Sequence, residues 1–69
     1  MDIAFVKVRS DRTHVECYST SGNFVTSFHP ATACPIRTAM IQGDKIVIQG
    51  DNGKTDIYDL HSANFIMSI

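Results

Sequence analysis

The run Gly43-Asp44-Lys45-Ile46-Val47-Ile48-Gln49-Gly50-Asp51-Asn52-Gly53-Lys54-Thr55-Asp56-Ile57-Tyr58-Asp59-Leu60 decides the fold class. Two short runs rich in β-branched and aromatic residues, 45–49 and 55–60, are divided by Asp51-Asn52-Gly53. Asn-Gly takes the positive φ angles of a type I′ turn readily, so the stretch predicts a β-hairpin. Residues 42–44 form a second tight turn, into which 36–41 leads as a strand. Residues 61–63 turn the chain into a last strand, 64–69, which carries Phe65, Ile66, Met67 and Ile69.

The N-terminal part repeats this texture. Residues 3–8 read as a strand, with Phe5 on one face and Val6 and Val8 on the other, partly buried on both faces. Residues 9–12 are a polar loop. In 13–18, Val15 and Cys17 face one way, and His14, Glu16 and Tyr18 the other. Residues 19–22 turn, with Gly22 free to take φ > 0. Residues 23–28 form a third strand. Pro30 and Pro35 interrupt any ladder through 29–35, making this the connection between the halves. Helical periodicity is nearly absent. The expectation is an all-β single domain spanning 1–69, an antiparallel meander of about seven short strands. A small rolled sheet or barrel is the alternative.

An internal repeat follows from aligning the halves. At an offset of 40, Val6 meets Ile46, Val8 meets Ile48, Asp11 meets Asp51, Cys17 meets Ile57 and Tyr18 meets Tyr58. One residue inserted in the second turn shifts the offset to 41. Asn23 then meets Asn64, Phe24 meets Phe65, Val25 meets Ile66, Ser27 meets Ser68 and Phe28 meets Ile69. The repeats span about 3–28 and 36–69.

Residues 43–60 resemble the inner part of a β-propeller blade of the tryptophan–aspartate-repeat type. Tyr58-Asp59 stands where that family usually has Trp-Asp. The first copy departs more: Tyr18 is followed by Ser19, Arg12 occupies a turn position where Gly is expected, and neither copy shows the family's Gly-His pair. The resemblance implies four-stranded blades and a structural role for Asp59, bonded to turn backbone. A ring takes roughly four to eight blades, so a chain of fewer than two blades closes one only by assembling.

Composition sets limits. Hydrophobic residues make up 43% and charged residues 19%, which suits a globular domain rather than a disordered one. A chain of 69 residues buries only roughly 60% of its unfolded surface and gains from self-association. A net charge of −1 supplies no strong field for nucleic acid or anionic membrane. No apolar run approaches the roughly 20 residues of a membrane span. The start of the chain lacks a basic leader followed by a long apolar stretch, so no signal peptide is read there. Two cysteines are too few for a disulfide framework, and a cytoplasmic location is the default expectation.

Chemistry-bearing constellations are sparse. His14 and Cys17 point to opposite faces of a strand and do not share an ion. His29 and Cys34 share the connecting loop, but two ligands do not make a site, and His61 lies apart. Nothing beside Cys34 activates it as a nucleophile. Asp44, Asp51, Asp56 and Asp59 lack calcium-loop spacing, and Asp44 and Asp51 are expected to bond local turn backbone. Arg9 and Arg12 share a loop, with Arg37 far along the chain; with the aromatics they would suit single-stranded nucleic acid only on a more basic domain. The aromatics read as core.

The expectation is therefore a non-enzymatic structural or protein-interaction module, with no metal or cofactor. It self-associates through the unblunted apolar last strand, Phe65, Ile66, Met67 and Ile69. The alternatives are carbohydrate binding by a propeller-like oligomer and nucleic-acid binding by a small β-barrel. A homo-oligomer is the expected partner state, another protein partner is possible, and neither a membrane nor nucleic acid is expected.

Overall fold

A computed structural model describes residues 3–69 and contains seven antiparallel strands and no helix. They are β1 (Phe5–Val8), β2 (Val15–Tyr18), β3 (Phe24–Phe28), β4 (Ile36–Gln42), β5 (Lys45–Gly50), β6 (Thr55–Asp59) and β7 (Phe65–Ser68). They form two meander sheets, β1-β2-β3 and β4-β5-β6-β7. β7 pairs with β6 alone among the described strands, so the sheets do not close into a barrel.

The core is the layer between the sheets. Val15 and Cys17 of β2 are fully buried, as are Ile46 and Ile48 of β5 and Ile36 of β4. Val6, Val8, Val25, Phe28, Ala39 and Ile41 pack against them. Phe28 meets Tyr58 across the layer, ring centroids 4.3 Å apart. Phe5 is 45% exposed, so β1 is buried on one face and not on both.

The two sheets share a pairing pattern. In the first, Phe5 pairs with Tyr18 and Tyr18 with Phe24; in the second, Ile46 pairs with Tyr58 and Tyr58 with Phe65. Each has the same register shift beside the tyrosine, between Cys17 and Tyr18 and between Ile57 and Tyr58. This corrects the alignment of β1 by one residue: Phe5, not Val6, takes the place of Ile46. The cause is the first hairpin loop. It closes between Arg9 and His14, whereas its counterpart closes between Gly50 and Lys54, one residue shorter.

That counterpart is also not a type I′ turn. The Gly53 amide donates to the Gly50 carbonyl and the Gly50 amide to the Lys54 carbonyl, at 3.2 and 2.9 Å. Gly53 has φ 81°, but Asn52 is not in the left-handed region. This is a three-residue loop with a glycine bulge. Asn52 is held by other bonds: its side-chain Nδ2 donates to the Thr32 carbonyl at 2.8 Å, and its side-chain oxygen accepts from the Lys54 backbone N–H at 3.2 Å. Arg12 occupies the matching position of the first loop at φ 61°.

Candidate interaction surface

Alternation puts every second residue of a strand on the face away from the core. On the first sheet, direct pairing lines up Phe5, Tyr18 and Phe24 there. Phe5 stacks on Tyr18 with centroids 5.1 Å apart, and Phe24 meets Tyr18 edge-on at 5.9 Å. Phe5 is 45% and Phe24 57% exposed. Aromatics expected in the core thus form an outward row. Lys7 lies over the Tyr18 ring, 6.0 Å from its centroid.

On the second sheet, the outward row crosses all four strands. Met40 pairs with Val47, Val47 with Ile57 and Ile57 with Met67. Val47 and Ile57 are half-buried, while Met40 and Met67 are exposed. Gln49 and Thr55 on one side and Lys45 and Asp59 on the other flank this row. A shallow depression lined by Arg37, Gln49, Lys54 and Thr55 adjoins it.

The residues singled out in the last strand are all exposed, but they do not form one patch. Phe65 lies opposite Tyr58 on the core-facing side, rings 5.6 Å apart, while Met67 lies opposite Ile57 on the outer side. Ile66 sits in the register shift between them. Ile69 extends β7, its amide donating to the Thr55 carbonyl at 2.8 Å, and its side chain is exposed.

The connection 29–35 is held by β6. The Asp56 carboxylate is fully buried and accepts from the Thr32 amide at 2.7 Å, the Ala33 amide at 2.9 Å, the Thr32 hydroxyl and the Ser68 hydroxyl at 2.6 Å. Desolvation pushes its pKa up, but the bonds from Ser68, Thr32 and Ala33 outweigh it and hold the group at about 2. The Ala31 amide donates to the Tyr58 hydroxyl at 2.9 Å; burial raises that hydroxyl's pKa. Both groups hold the connection in place.

Of the other acids, Asp51 departs from expectation. Asp51 does not bond local backbone; it pairs with Arg12 of the first hairpin loop and with Arg37 of β4, which lower its pKa. Arg12 also donates to the Ile36 carbonyl at 2.8 Å, so the sequence-distant arginines meet where the two hairpin loops touch. Asp44 pairs with Lys45 at 2.6 Å. Asp59 does bond turn backbone, accepting from the Ser62 amide at 3.0 Å and its hydroxyl at 2.7 Å.

Cys17 is buried and Cys34 half-buried, and both are free thiols. The Cys34 sulfur lies 3.8 Å from His29 Nε2. His14 meets the His29 ring edge-on, centroids 5.6 Å apart. Among the described residues, no group of three or more His, Cys, Asp or Glu side chains is placed to hold a metal. No helix among the described residues is long and apolar enough to cross a membrane. No protein-family model, curated protein or solved structure gives a significant match to the chain.

Proposed function

We propose that the chain is a non-enzymatic structural or protein-interaction module whose two sheets are successive copies of one blade-like unit, and that it self-associates. The observation that carries this reading is the pair of outward apolar rows, Phe5–Tyr18–Phe24 and Met40–Val47–Ile57–Met67. Contiguous exposed apolar surface of this kind marks interaction sites on soluble domains. Here it lies on both sides of a molecule too small for a large core of its own. The interaction surface is wider than the last strand, which contributes Met67 and Ile69 to one side of it.

The blade reading draws on the shared register and on Asp59 bonding its turn, as the tryptophan–aspartate-repeat resemblance implies. Light scattering over a dilution series tests the function. The expected mass exceeds one chain at high micromolar concentration and falls on dilution. A folded monomer throughout would overturn the reading.

A further inference from the structure

The deeper question is which surface meets which, and this rests on the self-association reading above. Matching the sheets by their tyrosines makes the faces correspond in a crossed way. The outward face of the first sheet, with Phe5, Tyr18 and Phe24, corresponds to the inward face of the second, with Ile46, Tyr58 and Phe65. The inward Cys17 likewise corresponds to the outward Ile57, and the inward Phe28 to Ile69.

So each face without a partner is the counterpart of a face that already has one inside the chain. We infer that a second copy of this chain docks head to tail, its second sheet's outer face on the first sheet's outer face, repeating the packing between the two sheets of one chain. The partner of Tyr18 is then Ile69 of the second copy, as Phe28 is the partner of Tyr58 within one chain. The occupant follows from continuity with the existing sheet-on-sheet interface: the surface that fits the aromatic row is one this chain itself presents.

Such contact is heterologous and propagates until rotation closes it into a ring. About four to eight sheets close a propeller ring, which is roughly two to four chains. The outward faces are more polar than their mated counterparts. Lys7 stands where Ile48 does, and Thr55 where Val15 does. Association between copies is therefore weaker than the packing within one and reversible.

Two single-face variants test the polarity: Phe24→Glu on the aromatic row and Met67→Glu on the other. Far-UV circular dichroism and burial of the Cys17 thiol confirm that each is folded. Each variant alone is expected to be monomeric, and a 1:1 mixture to give a heterodimer of twice the chain's mass, because one intact interface remains. A wild type that associates while either variant alone still dimerises, or while the mixture stays monomeric, overturns the head-to-tail arrangement but leaves self-association standing. A monomeric wild type overturns both. Should either charge unfold the chain, Phe5→Lys and Ile69→Lys place the same block at other exposed positions of the two faces.

Discussion

Thr32 donates both its backbone N–H and its hydroxyl to the buried carboxylate of Asp56, 24 residues further along the chain. The bond pair fixes the proline-bounded connection against β6 and thereby sets how one sheet lies on the other. Asp56→Ala removes the shared acceptor of Thr32, Ala33 and Ser68, and of the three residues only Ala33 is buried. A buried donor left without a partner costs roughly 1–3 kcal/mol, and the exposed donors turn to water, so a loss of about 2 kcal/mol or more is expected in urea denaturation. The acid limb gives a second reading. Asp56's folded pKa, about 2, lies below its ordinary 3.8. Its stabilisation is complete above the unfolded value and is lost as pH falls from about 4 to about 2. The lowered pKa is equivalent to about 2 kcal/mol. Wild type is therefore expected to lose stability through that window, and Asp56→Ala to lose less.

Gly50 is buried where the end of β5 passes the connection. A Cβ there would lie 2.8 Å from the Ala33 backbone and 2.6 Å from Asn52 Oδ1. The Ala33 side of that contact is main chain and cannot rotate away. Gly50→Ala is expected to cost about 2 kcal/mol, within the range for overpacking, measured as a lower urea midpoint. An unchanged midpoint would show that the connection moves freely.

The two thiols are expected to react at different rates. Burial pushes Cys17 up to about 11, so little thiolate is present near neutral pH and access is blocked. Cys34 is half-buried in the connection. With a thiol reagent at pH 8, one group per folded chain should react quickly and the second only on unfolding. Two fast groups in the folded protein would contradict the placement of Cys17.

Much of the fold was legible because alternation is a local signal. Alternation puts Val15 and Cys17 on one face of their strand, and the structure buries that face completely; the strand succession agrees with the structure to within two residues at each boundary. The extra residue in the loop between β1 and β2 was not legible, since only the hydrogen-bond closure shows that Arg9 pairs with His14. Nor was Asp56 separable from its neighbours: its partners Thr32 and Ser68 are 24 and 12 residues away. Phe5 and Phe24 were assigned to the core because large aromatics usually are buried. Their outward row depends on cross-strand register, which composition does not encode. The last strand lies at the edge of its sheet, and its register shift, which the sequence does not reveal, splits Phe65 from Met67.

Isotope-filtered NMR on a concentrated 1:1 mixture of methyl-labelled and unlabelled chains tests the central claim most directly. Methyl groups of Ile57, Met67 and Ile69 on one chain are predicted to show intermolecular contacts to the rings of Phe5, Tyr18 and Phe24 on another. The contacts should fade on dilution. Contacts only between like faces, or none while the sample is concentrated and folded, would contradict head-to-tail stacking of the sheets.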